Sequence, residues 1–542
     1  MKTAVILFAA GLLWFSTSSK ASGSEAIPGQ FVVKLKDSSA ASSKSDLEKI
    51  LGSPVRSIFG DGRLVLVERP LLEVENTSIK ILSENQNVQF AEPNFIYHVE
   101  KTPHEAQFGK QWGLLNLGQD DSKNIGTAGM DIGAEKAWDL TTGSEDVVIA
   151  IIDTGVDQTH PDLATNVWTN QIEAHGLPGV DDDHNGYVDD INGFNFSDPA
   201  KPNGNSKDDH GHGSHCAGVI GAKSNDGKGI VGVNWKVKLM AVKFLNADGG
   251  GSLDAAVQAI DYAIKMKAQI MSNSWGGGGE SLALKEAIER AEKAGILFVA
   301  AAGNNAISND SSPHYPSSYD LPNILSVAAI DNSGQLAAFS NFGKKSVHVA
   351  APGVNIFSSV LNNSYELMSG TSMATPFVSG IAGLLAAQFP EMTYQDLKKR
   401  IVSTARPLTS LRGKVFSGGL ARADAALTNH IFPADPNDPA IWKSQDIKFS
   451  TAHPYGKKQS LGFEISVPGA RELALYFDKF DTEKGYDKLS VFNRNGVLIT
   501  ELSGNWDESF SPSIPGDYAR LIFTSDDTVE KYGFDLSKVS FR

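Results

Sequence analysis

Short, nearly continuous apolar runs that alternate with helical segments constrain the fold of this chain more than any other feature. The runs lie at residues 147–152, 239–245, 270–275, 296–302 and 324–329. Strands of this kind are buried on both faces, so helices must cover both sides of the sheet they form. The pattern predicts a doubly wound α/β domain with a parallel sheet. Ser252 and Ser281 are expected to cap two of the covering helices.

Different textures flank this region. Alternating strands at residues 30–36 and 63–67, together with two helical stretches, predict a small α+β unit between residues 27 and 99. A polar connector at residues 100–107 follows it. After a linker with three prolines within residues 432–439, short strand patterns separated by Gly, Pro and Asp turns predict an all-β sandwich.

In a doubly wound sheet, ligands and chemistry gather at the carboxyl ends of the strands. The polar residues that directly follow the predicted strands are therefore the candidates for a functional site. These residues are Asp153, Ser274 and Asn304.

Three separate segments supply the groups that acyl transfer to an oxygen nucleophile needs. Asp153 lies in DTGVD, His212 in HGHGSHCAG and Ser372 in GTSMATP, with Pro376 expected in the first turn of a helix. Each residue alone has a structural alternative, as a helix cap or as a hydrogen-bonded polar group of the core. Their joint occurrence at predicted strand ends and helix starts favours a nucleophile, its base and the acid that orients the base.

With these motifs the chain resembles the subtilisin family of serine proteases over most of residues 107–430. The resemblance implies that Ser372 is the nucleophile, His212 the base and Asp153 the orienting acid. It also implies that Asn304 donates its side-chain N–H to the oxyanion. Ser274, Trp275 and Gly276 resemble the family's edge segment that pairs with an extended substrate, although the following glycines could also form a simple flexible turn.

The same resemblance implies that the N-terminal α+β unit is a propeptide that inhibits the enzyme until self-cleavage between about residues 99 and 107. Cys216 lies four residues after His212 on the predicted helix, and we interpret it as a packing residue. As the one cysteine of the chain it cannot form an internal disulfide.

The first residues predict export. Lys2, an apolar stretch at residues 4–15 and the small residues around Ala21 are typical of a secretory signal peptide. No cysteine near the cleavage point could carry a lipid, so we expect no stable membrane anchor. The net charge is −15 without a long basic run, which argues against a nucleic-acid partner.

Calcium is the expected cofactor. The segment 181–190 presents oxygen ligands at the spacing of a calcium loop, without the usual glutamate at its twelfth position. A solvated acidic turn is the alternative. The family resemblance suggests a second site from Asp162 and Asp226. The candidate ligands of the first site are Asp181, Asp183, Asn185, Tyr187, Asp189 and Asp190.

The C-terminal region resembles a CUB-like β-sandwich in its HPY, FDTE, YD, TSD and GF segments. A calcium site from Glu483, Asp487 and Asp526 and ordinary turn carboxylates are both open there. The expected organisation is a signal peptide (1–21), a propeptide (22–106), a subtilisin-like peptidase domain (107–430), a linker (431–440) and the sandwich (441–542).

The expected product is a secreted, extracellular and monomeric serine endopeptidase that cleaves protein or peptide substrates through an acyl-enzyme. It would be made as a zymogen that processes itself, with its own propeptide as inhibitor. One alternative is a secreted binding protein that presents the sandwich on a protease-like scaffold. Another is a narrow-specificity processing protease with the same chemistry.

Overall fold

The computed structural model describes residues 26–36, 43–60, 62–69, 75–95, 103–120, 125–224 and 226–542. The predicted signal peptide and residues 100–102 of the connector lie outside the described residues. None of the described helices combines the length and the apolar composition of a membrane-spanning segment.

The N-terminal unit is a four-stranded antiparallel sheet with two helices, as the alternating pattern predicts. Its strands pair in the order β2-β3-β1-β4. Val33, Val65 and Val67 on the sheet and Leu47 and Leu51 on the first helix form its core. The elements are β1 (Ala26–Leu35), α1 (Lys44–Leu51), β2 (Val55–Phe59), β3 (Leu64–Glu68), α2 (Glu75–Ser83) and β4 (Val88–Phe95).

The central region contains the α/β domain. Its strands are β5 (Gly143–Asp153), β6 (Gly193–Asn195), β7 (Lys236–Lys243), β8 (Ile270–Asn273), β9 (Leu297–Ala301), β10 (Ile324–Ile330), β11 (Val349–Pro352), β12 (Ile356–Val360), β13 (Ser364–Met368), β14 (Arg406–Pro407) and β15 (Gly419–Leu420). Its helices are α3 (Ala134–Leu140), α4 (Gln171–Ala174), α5 (His212–Gly221), α6 (Leu253–Lys265), α7 (Leu282–Lys293), α8 (Thr371–Gln388), α9 (Tyr394–Ser403) and α10 (Ala423–Thr428).

Nine strands form one sheet in the order β14-β15-β11-β10-β9-β8-β5-β7-β6. All neighbours from β15 to β6 are parallel, and β14 is antiparallel to β15. One core layer contains α5 and α8, and the other contains α6 and α7. The doubly wound α/β prediction is confirmed, because each predicted apolar run forms one strand that is covered on both faces.

Two details of the helices differ from the prediction. Ser252 occupies the position before α6, but its side chain makes no capping hydrogen bond, whereas Ser281 accepts one from the backbone N–H of Leu284. Pro376 is the sixth residue of α8 and not part of its first turn, because the helix already begins at Thr371. A proline there removes one backbone hydrogen bond of the helix.

The C-terminal region is a pair of antiparallel sheets, as predicted. One has the strand order β16-β24-β18-β21, with β22 also paired to β18, and the other has the order β17-β23-β19-β20. Aromatic side chains such as Phe477, Phe523 and Phe534 fill the space between them. The strands are β16 (Lys443–Ser450), β17 (Ser460–Ser466), β18 (Glu472–Asp481), β19 (Lys488–Phe492), β20 (Leu498–Leu502), β21 (Ser509–Phe510), β22 (Ile514–Pro515), β23 (Tyr518–Thr524) and β24 (Gly533–Phe541).

Candidate active site

Asp153 is the last residue of β5 and lies at the carboxyl end of the parallel sheet. Its side chain is 1% exposed. Its Oδ1 accepts hydrogen bonds from the backbone N–H of Thr154 and from Nδ1 of His212, each at 2.7 Å. An ionised carboxylate can only accept, so Nδ1 of the imidazole carries a proton in this pair. The neutral ring then presents Nε2 as an acceptor, which is the arrangement a general base needs.

His212 is the first residue of α5, and its position depends on glycine. The preceding Gly211 has φ 102°, in the left-handed region. A Cβ at Gly213 would lie 2.1 Å from the carbonyl oxygen of Gly155, so the helix approaches the loop after Asp153 closely only because residue 213 is glycine. Burial opposes the charged imidazole, but the charge and hydrogen bond of Asp153 outweigh it and raise the pKa of His212.

Asp208, which the sequence analysis did not select, fixes both members of this pair. Its buried carboxylate accepts from Oγ1 of Thr154 at 2.8 Å and from the backbone N–H of Ser214 at 2.9 Å. It therefore joins the loop after Asp153 to the first turn of α5. An aspartate just before a helix start is a common capping signal and could have revealed it.

Lys243 is a second unpredicted residue below the site. It is the last residue of β7 and is 2% exposed. Its Nζ donates to the carbonyl oxygens of Thr154 at 2.7 Å and Leu245 at 2.8 Å, and to the carboxylate of Asp209 at 2.6 Å. These bonds tie together the loops that follow β5 and β7. Lys243 is the single charged residue inside the apolar run at residues 239–245, and this could have identified it from the sequence.

Ser372 is the second residue of α8, and its hydroxyl makes no hydrogen bond with His212 or Asp153 among the described residues. Oγ of Ser372 donates to the carbonyl oxygen of Ser274 at 3.0 Å. The thiol of Cys216 lies between the two parts: Sγ is 3.5 Å from the carbonyl oxygen of Ser372 and within 4.8 Å of ligand atoms of Asp153 and His212. In free enzymes the bond between nucleophile and base is often loose and tightens only with substrate.

Pro376 determines how the carbonyl of Ser372 is used. In a regular helix this carbonyl would accept from the backbone N–H four residues later, and proline has none. The carbonyl accepts instead from Oγ of Ser274 at 2.7 Å and from Sγ of Cys216. Ser274 and Ser372 therefore exchange two hydrogen bonds, which hold the start of α8 against the segment after β8.

Nδ2 of Asn304 and the backbone N atom of Ser372 lie beside the same open position at Gly370. Oδ1 of Asn304 accepts from the backbone N–H of Thr371 at 2.9 Å and from its Oγ1 at 3.0 Å, which leaves Nδ2 as the free end of the amide. A Cβ built on Gly370 would lie 3.6 Å from this Nδ2 and 3.5 Å from the N atom of Ser372. Two N–H donors thus face a space that residue 370 leaves open, as an oxyanion site requires.

The candidate substrate edge, Ser274 to Gly276, follows β8 directly. Ser274 is buried and bonded to Ser372, and the ring of Trp275 packs against Phe244 with 4.8 Å between centroids. Gly276 is exposed. Its backbone N–H and C=O make no hydrogen bond among the described residues. The edge can therefore accept an extended chain at Gly276.

The predicted calcium loop brings carboxylates together, but not the full predicted set. Glu173, Asp181 and Asp183 offer oxygens that all lie within 4.8 Å of one another. Opposite ligands of one calcium ion, each at 2.3–2.6 Å, are about 5 Å apart, so this all-oxygen group fits that ion. Glu173 is buried on the short helix α4. It lies outside the calcium-loop pattern, so it could not be predicted from that pattern.

The remaining predicted residues of the loop have other partners. The carboxylate of Asp189 accepts from the backbone N–H of Gly179, and Oδ1 of Asn185 accepts from the backbone N–H of Tyr187. Asp190 is fully buried and accepts from the hydroxyl of Tyr262 at 2.8 Å. Burial raises the pKa of Asp190 to about 6.

The two members of the second predicted metal pair, Asp162 and Asp226, have different hydrogen-bond and ion-pair partners. Asp162 is buried and accepts from the hydroxyl of Tyr365 and the backbone N–H of Ile230, each at 2.9 Å. Asp226 forms an ion pair with Lys223 at 3.4 Å. In the sandwich, Glu483, Asp487 and Asp526 do offer oxygens within 4.8 Å of one another.

Comparison with known proteins identifies the family of the chain. The sequence model of the subtilase family matches residues 144–432, and that of the fervidolysin N-terminal prodomain matches residues 16–94. The thermophilic serine proteinase of Bacillus sp. (strain AK1) is 35% identical over 365 residues, which are 67% of this chain and 79% of that protein.

Subtilisin-like protease 1 of Plasmodium berghei (strain Anka) is 33% identical over 380 residues, covering 67% of this chain and 60% of that protein. The corresponding protease of Plasmodium vivax is 36% identical over 288 residues, or 50% of this chain and 45% of that protein. The chain thus spans less than two thirds of these two relatives. From the extent of the family match and the similarity to the Bacillus enzyme, the chain belongs to the subtilase family, as a subtilisin-like serine protease with a prodomain.

Proposed function

We propose that the chain is a secreted endopeptidase in which Ser372 attacks the peptide carbonyl and His212 takes its proton. Asp153 holds the imidazole in the required tautomer, and Asn304 with the N–H of Ser372 stabilises the oxyanion. The observation that carries this proposal is the 2.7 Å contact between His212 Nδ1 and Asp153, together with a helix start at which the N atom of Ser372 and Nδ2 of Asn304 lie beside the same open space.

The reaction proceeds by two acyl transfers. The hydroxyl proton of Ser372 passes to Nε2 of His212 while Oγ bonds to the carbonyl carbon, and the carbonyl oxygen becomes an anion between the two donors. His212 then gives this proton to the departing amine, which breaks the peptide bond and leaves an acyl-enzyme. Water attacks the ester in the same way, with His212 again as base, and frees Ser372.

For the first transfer, the hydroxyl of Ser372 must leave the carbonyl of Ser274. A rotation about the Cα–Cβ bond of Ser372 moves Oγ while the backbone stays held by Ser274 and Cys216. The released carbonyl of Ser274 is then available to pair with the substrate chain. Substrate binding and activation of the nucleophile are coupled in this way.

For maturation, we propose that the propeptide at residues 22–106 inhibits the peptidase domain and is removed by self-cleavage within residues 99–107. The match to a known prodomain over residues 16–94 supports an N-terminal segment of this kind. Processing by the enzyme itself predicts that Ser372→Ala accumulates as an uncut precursor.

Calcium is the proposed stabilising ion. Glu173, Asp181 and Asp183 would hold it in the central domain, and their all-oxygen donor set suits a hard cation. A second site would include Asp162 and Asp226. The ion would stabilise the fold by binding the native state only, which matters for a chain with a single cysteine.

We further propose export by a signal peptide at residues 1–21, a monomeric extracellular enzyme, and protein or peptide substrates. The peptidase domain would span residues 107–430 and the linker residues 431–440. A CUB-like sandwich at residues 441–542 would complete the chain. The two antiparallel sheets support a β-sandwich, while likeness to CUB domains stays a prediction.

A fluorophosphonate probe tests the proposed function. We expect covalent labelling at Ser372 in the wild type, hydrolysis of a fluorogenic peptide, and neither in Ser372→Ala. Ser369→Ala is the matched control, because it removes a neighbouring serine and should keep both activities. Labelling at another residue, or persistent hydrolysis in Ser372→Ala, would contradict the assignment.

A further inference from the structure

The imidazole of His314 lies between the segment that follows β8 and the segment that follows β9. It is not one of the proposed catalytic groups or metal ligands. A Cβ built on Gly276 would lie 2.2 Å from its Cε1 and 3.0 Å from its Nδ1. A Cβ built on Gly303 would lie 2.9 Å from its Cδ2 and 3.0 Å from its Cγ. The two edges of the ring therefore pack directly against two glycines, which leaves Nε2 at the free tip.

These two glycines flank the reacting centre. Gly276 ends the candidate substrate edge, and Gly303 directly precedes Asn304, whose amide faces the oxyanion. For a substrate carbonyl bound by Asn304 and Ser372, the side chain of the same residue begins two bonds from the carbonyl carbon, and in our proposal it lies between these two segments. Given the proposed function, that side chain meets the ring of His314.

The ring is held in this place by its own backbone. The N–H of His314 donates to Oγ of Ser318 at 3.0 Å, and its carbonyl oxygen accepts from Oγ of Ser317 at 2.8 Å. His314 is partly buried. Its burial lowers its pKa, so the ring is neutral at neutral pH.

The hydrogen bonding of the ring assigns its proton. Nδ1 is buried and has no hydrogen-bond partner within the part of the chain that the structure describes. A proton on Nδ1 would be a buried donor without an acceptor, which is costly, so the neutral ring carries its proton on Nε2. The Nε2 tip of the ring is thus an N–H donor.

We propose that His314 is a specificity-determining residue whose Nε2–H binds a side-chain oxygen of the substrate residue before the scissile bond. The class of substrate is a chain with an amide or carboxyl side chain at that position, such as Asn, Gln, Asp or Glu. An apolar side chain of the same size fits the space but leaves the donor without a partner.

Paired peptides test this inference. Fluorogenic peptides that differ only before the scissile bond compare Asn with Leu and Gln with Met, which are close in size. We expect kcat/KM for the amide peptide of the better-cleaved pair to exceed that of its apolar partner by about 3- to 10-fold, as for one neutral hydrogen bond. Asp and Glu peptides then measure the effect of charge.

His314→Leu should abolish this preference, which is read as the ratio of kcat/KM between the amide and the apolar peptide. His430→Leu, at an exposed position outside the site, should keep the wild-type ratio. Equal rates for amide and apolar peptides in the wild type, or an unchanged ratio in His314→Leu, would overturn the inference while leaving the endopeptidase assignment intact. Because the wild-type ratio is decisive alone, a misfolded variant does not prevent the test. Absence of any cleavage and of fluorophosphonate labelling would overturn the proposed function as well.

Discussion

The open space beside Gly370 can be filled with a single methyl group. A Cβ at this position lies 3.5 Å from the N atom of Ser372 and 3.6 Å from Nδ2 of Asn304, with no closer neighbour. The φ of Gly370 is 165°, which is extended backbone that alanine adopts without strain. Gly370→Ala should therefore fold normally and place a methyl group against both oxyanion donors.

The expected loss follows from the number of donors covered. An oxyanion must come within about 2.7–3.1 Å of each donor, and a methyl group at 3.5 Å occupies the approach to both. Losing one such donor costs about 2.7–4 kcal/mol of transition-state stabilisation, or about 10²–10³ in kcat. We expect kcat/KM of Gly370→Ala to fall at least about 10²-fold, with a melting temperature within about 2 °C of the wild type.

The assay is hydrolysis of a fluorogenic peptide by purified, processed enzyme. The rate is normalised by titration with a fluorophosphonate carried to completion, which corrects for incomplete maturation. Gly109→Ala is the control. It adds the same methyl group elsewhere in the chain, where a Cβ meets nothing within 4 Å. If Gly370→Ala keeps kcat/KM within threefold of the wild type, the donors of Ser372 and Asn304 do not form the oxyanion site.

Three further changes test other groups. Asp153→Asn should lower kcat about 10⁴-fold because His212 loses its orienting partner. It should also move the fall of kcat/KM on the acid side of the pH profile to lower pH, because the charge that raises the pKa of His212 is lost. The pH profile of residual hydrolysis checks this, and an unchanged acid side would contradict it. EDTA should destabilise the fold by about 2.7 kcal/mol relative to calcium at 100-fold above its dissociation constant. Asp183→Asn should reduce that difference in thermal melts, whereas a full EDTA response in the variant would exclude the site at Glu173, Asp181 and Asp183. Burial and the charge of Lys398 lower the pKa of His348 to about 3 from 6.5. The folded state therefore binds fewer protons than the unfolded state, and the free energy of unfolding falls as pH drops from 6.5 toward 3, by about 5 kcal/mol at most. His348→Gln should flatten this pH dependence in urea unfolding of the Ser372→Ala precursor, and an equally steep dependence would show that other groups cause it.

The positions of functional residues that depend on chain topology could be predicted from the sequence. Those that depend on the conformation of loops could not. The carboxyl ends of parallel strands meet at one edge, so the pattern of apolar runs was enough to place the polar residues that follow them, such as Asp153. Glu173 and His314 reach their sites through a one-turn helix and an irregular loop, whose paths no periodicity encodes. The sequence also could not show that the side chain of Ser252 makes no capping bond, because capping depends on a local rotamer and not on residue type.

The proline in α8 has a consequence for how substitutions near Ser372 combine. An alanine at position 376 would restore a backbone N–H that competes with the hydroxyl of Ser274 for one carbonyl oxygen. A change at either position alone alters the set of donors around the nucleophile, although neither residue exchanges a proton with the substrate. The identities of residues 274 and 376 are therefore expected to be interdependent, and substitutions at the two positions should have non-additive effects on the reaction rate.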